Sequence, residues 1–167
     1  MRRIMFVVAL LVGFWTGVAP ASAGTPIGFV SNGTGSGTVT SSGSGYALAG
    51  TTTGTFQSVP LSGAATSTWS FHTNAIPGLC SSGSTPVVGT LTAATSSGTL
   101  TWDLSGSVCD PGAGGYPYYR VTTSQTLVNA TGSFAGFSGS ATGVLELSGS
   151  ITSPSLTSST IGSVTPP

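Results

Sequence analysis

The sequence carries very little charge. Of its 167 residues, three are Lys or Arg and three are Asp or Glu, and lysine is missing altogether. Nucleic-acid binders neutralise phosphates with a basic surface, so the composition excludes that function. Helix formers such as Glu, Lys, Gln and Met are also scarce, which argues against a helical fold. Apolar residues nevertheless recur at intervals, so we predict a folded chain with Ser and Thr in place of surface charge.

The first 23 residues have the pattern of a secretory signal peptide. An arginine pair precedes the uncharged run IMFVVALLVGFW, and the small residues of APASA follow it. We therefore predict that residues 1–23 are removed, that the exported protein begins at Gly24 and that it is secreted. The remaining 144 residues suit a single domain.

Period-two alternation of apolar and polar residues predicts strands. In TLTWDLS, the residues Leu100, Trp102 and Leu104 share one face. Further candidates are STWSFHT, VVGTLTA, YYRVTTSQTLV, GVLELSGSI and YALAGTTTGTF, separated by turns such as SSGSG, TSSG and DPGAGGYP. About seven or eight short strands in residues 24–152 predict an all-β antiparallel barrel, with a β-sandwich as the alternative. Residues 153–167, rich in Ser, Thr and Pro without alternation, are expected to be a flexible tail.

The segment NATGSFAGFSGSATGVLELSGS, residues 129–150, places glycines around two phenylalanines. This spacing predicts a tight turn anchored by Phe134 and Phe137, because glycine permits positive φ and close backbone approach. The turn glycines are Gly132, Gly136, Gly139 and Gly143. In the strand that follows, Leu145 and Leu147 are expected to face the core and Glu146 the opposite side.

The same segment resembles the G-T-G-x-F-x-G-x-x-G-x-G pattern of small β-barrels in the allene oxide cyclase and dirigent group. Ala130 and Ala141 stand where that pattern has glycines, and the residues that match it are Thr131, Gly132, Phe134, Gly136 and Gly139. The resemblance implies an eight-stranded barrel with an apolar interior. It transfers no catalytic residue, since the matching motif is structural. A generic glycine-rich turn is the alternative interpretation.

Two cysteines, Cys80 and Cys109, each lie beside a turn. An even number of cysteines in an exported chain predicts a disulfide between them. The alternatives are free thiols or a metal pair. His72 is the single imidazole available as a third ligand, so we predict neither a metal site nor a cofactor.

Four polar residues raise the question of catalysis: His72, Asp103, Arg120 and Glu146. The pattern places His72 away from the apolar face of its strand, and it places both acids on polar strand faces. Arg120 is expected to meet Glu146 across neighbouring strands. Because nothing in the sequence orients these groups for a reaction, no catalytic residue is predicted.

Tyr116, Tyr118 and Tyr119 follow the Cys109 turn and are the candidate recognition residues, since tyrosine combines a flat apolar face with a hydroxyl. The alternative is a strand in which Tyr119 faces the core.

Three function classes stay open. The first is a secreted, non-catalytic β-domain that binds a small apolar ligand, a glycan or a surface partner. The second is an enzyme of the barrel family named above. The third is an outer-membrane barrel. Against it, the predicted strands are shorter than the roughly 9–11 residues that span a bilayer, and aromatic girdles are missing from the sequence.

Overall fold

A computed structural model describes residues 24–58, 62–112 and 118–167. The predicted signal peptide and Tyr116 lie outside these residues. Two short 3-10 turns cover Cys80–Ser82 and Gly132–Phe134. The strands are β1 (Ile27–Ser42), β2 (Gly45–Ser58), β3 (Gly63–Thr73), β4 (Thr85–Thr95), β5 (Gly98–Cys109), β6 (Tyr118–Ala130), β7 (Ser138–Gly149) and β8 (Pro154–Thr165).

The eight strands form one closed antiparallel barrel. Each strand pairs with the next along the chain, and β1 pairs with β8 to close the ring. The register of the closing pair runs from Ile27 opposite Val164 to Ser36 opposite Ser155. The predicted all-β barrel is therefore confirmed, and the sandwich alternative is wrong. Within the described residues, no helix is long and apolar enough to cross a membrane.

The strands are longer than the sequence led us to expect. They run from 11 residues in β3 to 16 in β1, so the expectation of short strands was wrong. Glycine lies inside strands as well as in the turns between them. Gly89, for example, is in the middle of β4, where it pairs with Phe71 and Leu104 on the two neighbouring strands.

The expected flexible tail is also wrong, because residues 154–165 form β8 and hydrogen-bond to both β7 and β1. Leu156 and Val164 are buried in the barrel, as ordinary alternation requires. Between them, however, Ser158 and Thr160 also point inward and are buried. Because these inward hydroxyls replace apolar residues, the sequence shows no apolar alternation there.

Apolar alternation is also missing from β1, so the sequence predicts no strand there. Its inward positions include Gly33, Gly35 and Gly37, which carry no side chain to reveal the face. At Gly37 the space is taken by Leu48 and Leu156, whose Cδ1 atoms lie 3.0 and 3.2 Å from where a Cβ would stand, whereas a Cβ at Gly35 would meet the backbone of Thr51. Glycine here makes room for a side chain of the neighbouring strand.

The barrel interior is apolar with a polar layer across its middle. Trp69 and Trp102 are its largest fully buried side chains. In the polar layer, the indole N–H of Trp69 donates to Thr52 Oγ1 at 3.1 Å, and Thr52 hydrogen-bonds Ser158 at 3.1 Å. The outward positions, in contrast, carry mostly Ser and Thr, for example Thr51, Thr53 and Thr55 along β2, all exposed.

Candidate functional site

One end of the barrel is closed by the predicted glycine turn. Phe134 is 1% exposed and packs edge-on against Phe56 and Phe137, with ring centroids 6.2 and 5.9 Å away. Gly136 has φ +80°, a conformation that favours glycine. The two phenylalanines therefore anchor this turn as predicted, and they seal the end at which they lie.

The strand after the turn also follows the prediction. Leu145 and Leu147 are buried in the core, while Glu146 faces outward on the same strand. Gly139 and Gly143 lie in β7 rather than in the turn. A Cβ at Gly139 would stand 2.5 Å from the carbonyl oxygen of Ser163, so close strand approach explains the glycine there.

The opposite end of the barrel holds a cavity of about 60 Å³. Apolar side chains form nearly all of its surface. Its lining residues are Val39, Tyr46, Leu48, Phe71, Thr73, Pro77, Val87, Val108, Tyr119, Val121, Leu147, Ser150, Ile151 and Pro154. A volume of this size exceeds the roughly 10–15 Å³ that one water molecule requires. The cavity thus has room for a small apolar group.

The walls of this cavity follow from strand alternation. Val87 on β4, Val108 on β5 and Val121 on β6 are buried inward-facing residues near one end of their strands. The loops between strands complete the rim, with Pro77 from the β3–β4 loop and Ile151 from the β7–β8 loop. Each strand therefore contributes at the end that meets this rim.

A disulfide fixes the β3–β4 loop to the rim. Cys80 and Cys109 are bonded, with their Cα atoms 4.9 Å apart, which confirms the predicted bond. Beside it, the backbone N–H of Cys80 donates to the Asp110 carbonyl at 2.7 Å, and the N–H of Asp110 donates to the Gly78 carbonyl at 2.8 Å. The loop that supplies Pro77 to the cavity is thus held both covalently and by hydrogen bonds.

Large apolar side chains of the loops at this rim are exposed to solvent. Ile76 in the β3–β4 loop is 66% exposed, and Ile151, which also lines the cavity, is 50% exposed. The apolar surface therefore continues from the cavity onto the loops around its opening.

The predicted tyrosine cluster is divided between the two faces of β6. Tyr119 lines the cavity, whereas Tyr118 points outward beside Arg120 and Glu146. Burial raises the pKa of Tyr119, and the nearby negative charge of Asp110 and the Tyr46 phenol add to this effect. Tyr119 therefore stays protonated and can donate a hydrogen bond at the cavity.

On the outer face, Arg120 and Glu146 form the ion pair that the sequence predicted. The guanidinium Nη2 of Arg120 lies 3.0 Å from Glu146 Oε1, and its Nε lies 3.3 Å from the same oxygen. The Tyr118 hydroxyl has the largest effect on the pKa of Glu146 and lowers it; burial opposes this, and the Arg120 guanidinium adds to the lowering, so the pKa lies below its ordinary value. Both side chains are substantially exposed, so this pair contributes little to stability.

His72 and Asp103 lie on the outer surface, where both line an open depression that also includes Gly89 of β4. Both are exposed. In the strand register, His72 is opposite Val88, while Asp103 is opposite Thr90 in the next outward row. Among the described residues there is no group of three His, Cys, Asp or Glu side chains that could hold a metal ion. The fold therefore places neither His72 nor Asp103 at the cavity.

Sequence reasoning did not identify the cavity as a site. One signal for it was present, since alternation along YPYYRVTT places Tyr119 and Val121 on the inward face. The other walls come from separate strands, and their meeting at one rim depends on the barrel register.

Comparisons with known proteins give no relative for this chain. No family model, no curated protein and no solved structure matches it.

Proposed function

We propose that this protein is an exported barrel that binds a small apolar ligand in the cavity at its open end. The observation that carries the proposal is a cavity lined almost wholly by apolar side chains, in a barrel whose other end is filled by Phe134. Ligand sites of this kind are concave and mostly apolar, with a few polar groups that orient the ligand. Here Tyr46 and Tyr119 supply such groups.

The outward-facing residues favour a barrel that is surrounded by water and not by lipid. Alternate residues along β2, such as Thr51, Thr53 and Thr55, point outward and are exposed. A barrel in an outer membrane has the reverse pattern, with an apolar band facing lipid. The disulfide fits an oxidising compartment outside the cytoplasm, and together with the sequence pattern of residues 1–23 it supports export.

We favour binding over the family-based enzyme alternative. The closed eight-stranded barrel is compatible with the allene oxide cyclase and dirigent group. The residues that carry the resemblance, however, form the closed end and the start of β7. They therefore explain a structural turn at the end opposite the cavity, and they offer no reacting group to a ligand bound there.

A pair of variants on one strand tests the proposal. Val87 points into the cavity, whereas Val88, the next residue, points outward and is 45% exposed. Val87→Phe is expected to fill the cavity and abolish binding of n-octanol in isothermal titration calorimetry. Val88→Phe adds the same bulk outside and is expected to bind like the wild type.

Both variants are first checked for a cooperative thermal transition. If Val87→Phe does not fold, Ile151→Trp at the half-exposed rim replaces it, with the same expected loss of binding. Wild-type protein that shows no saturable binding of n-octanol, or a folded Val87→Phe that binds as well as Val88→Phe, would refute the proposal.

A further inference from the structure

Charged side chains lie away from the cavity at the open end. After residue 23 the sequence contains five residues of the types Asp, Glu, Arg and His, namely His72, Asp103, Asp110, Arg120 and Glu146. None of them is among the described residues that line the cavity. Two line the depression on the outer surface, two form the outer ion pair, and Asp110 accepts the Gly112 N–H at 2.7 Å within its own turn. The cavity therefore offers no opposite charge to an ionised ligand.

Four hydroxyl groups belong to the cavity lining, and two of them hydrogen-bond within the protein. Thr73 Oγ1 accepts the backbone N–H of Tyr46 at 2.9 Å and donates to the Ala75 carbonyl at 2.8 Å. The Ser150 hydroxyl is hydrogen-bonded inside the β7–β8 loop. The other two hydroxyls of the lining are the phenols of Tyr46 and Tyr119.

These two phenols lie where a ligand would leave the barrel. Tyr46 is the second residue of β2 and Tyr119 is the second residue of β6, so both stand at the strand ends that meet the open rim. A phenol both donates and accepts hydrogen bonds. Burial raises the pKa of Tyr119, so its hydroxyl keeps its proton at neutral pH. Deeper in the cavity, Val87 and Val121 present apolar surface.

We propose that the cavity takes uncharged molecules that combine an apolar body with one hydroxyl or carbonyl group, that Tyr46 and Tyr119 hydrogen-bond this group, and that ionised molecules of either sign are excluded. This inference rests on the proposed function, since it names the ligand class of the same site. A charged head group would lose part of its hydration beside apolar side chains and would gain no partner of opposite charge. A hydroxyl exchanges its bond to water for a bond to a phenol.

Three ligands with the same chain length of eight carbons test the exclusion of charge: n-octanol, octanoate and n-octylammonium. Calorimetric titrations of the wild type at neutral pH are expected to show both ions binding at least roughly tenfold more weakly than the alcohol. A carboxyl group takes up its proton at about pH 4. Titrations at about pH 3 are therefore expected to bring the affinity for octanoic acid close to that for n-octanol.

Matched variants test the role of the phenols. Tyr46→Phe/Tyr119→Phe removes both hydroxyls and keeps both rings, so n-octanol is expected to bind roughly three- to tenfold more weakly. Toluene, which has no hydrogen-bonding group, is expected to bind as in the wild type. Tyr118→Phe removes a hydroxyl from the outer face of the same strand and is expected to leave both affinities unchanged. If the double variant lacks a cooperative thermal transition, Tyr119→Phe alone replaces it.

The outcomes separate the two proposals. If n-octanol does not bind to the wild type, the proposed function fails. If n-octanol binds but either ion binds as tightly at neutral pH, the exclusion of charge is refuted and the binding site stands. A folded variant without the phenols that binds n-octanol as well as Tyr118→Phe does would refute the role of the two tyrosines.

Discussion

Removal of the disulfide is the perturbation whose size follows most directly from the structure. The double variant Cys80→Ser/Cys109→Ser deletes the bond without leaving a free thiol. The two residues are 29 positions apart. In the chain-entropy model, a bond that closes a loop of this length restricts the unfolded chain. Its removal is expected to lower the free energy of unfolding by about 3.5 kcal/mol.

Most of the native contacts around the bond are expected to survive its removal. The Cys80 N–H to Asp110 carbonyl and Asp110 N–H to Gly78 carbonyl hydrogen bonds involve backbone atoms only. The β3–β4–β5 sheet that the bond spans is hydrogen-bonded along its length. The barrel should therefore still fold, with its stability reduced by about 3–4 kcal/mol.

Urea titration with linear extrapolation measures this loss, and oxidised wild type and reduced, alkylated wild type are compared in parallel. Because Pro77 of the released loop lines the cavity, binding of n-octanol should also weaken. A loss below about 1 kcal/mol, with a fully folded double variant, would refute the unfolded-state argument. It would mean that the unfolded chain without the bond already keeps the segments around Cys80 and Cys109 close together.

Three further predictions concern other parts of the barrel. Phe134→Ala should destabilise the protein by about 3–5 kcal/mol in urea, because it empties the closed end. Gly136→Val, at φ +80°, should cost about 1–3 kcal/mol, whereas Gly63→Val, with open space around its Cβ position, should change little. The lowered pKa of Glu146 gives stability that is present above the ordinary value of 4.5 and lost as the pH falls through the folded value. Glu146→Gln should therefore shift the urea midpoint by a small amount at neutral pH and not at about pH 3.

The sequence predicted the strands whose inward residues are apolar. Leu100, Trp102 and Leu104 in β5 are all buried in the barrel, and their alternation was visible in TLTWDLS. In β1 the inward residues include glycines, and in β8 they include Ser158 and Thr160. Side chains alternate between the two faces in both strands, but the inward residues are not consistently apolar. Hydrophobic alternation therefore predicts no strand at β1 and a flexible tail at β8.

The cavity was harder to predict because its walls are not local. Val87, Val108 and Val121 belong to three strands, and they meet because of the register between those strands. The disulfide, in contrast, needed only two cysteines and a predicted export route. Because each of the eight strands contributes only one or two lining residues, no single stretch of sequence carries a pattern that identifies the cavity.

Pairing of β1 with β8 sets the order in which this protein can fold. Neighbouring strands can form hairpins as the chain emerges, but the ring closes only when Ile27 meets Val164 at the two ends of the described chain. Contacts so distant in sequence form slowly, because the entropy of closing the chain precedes any gain from them. Until then one wall of the barrel around the buried Trp69 and Trp102 side chains is missing, and the hydrogen-bonding edges of β1 and of the last strand to have paired are open to other chains. The barrel of this protein therefore stays incomplete until β8, the last strand in the chain, is available to pair with β1.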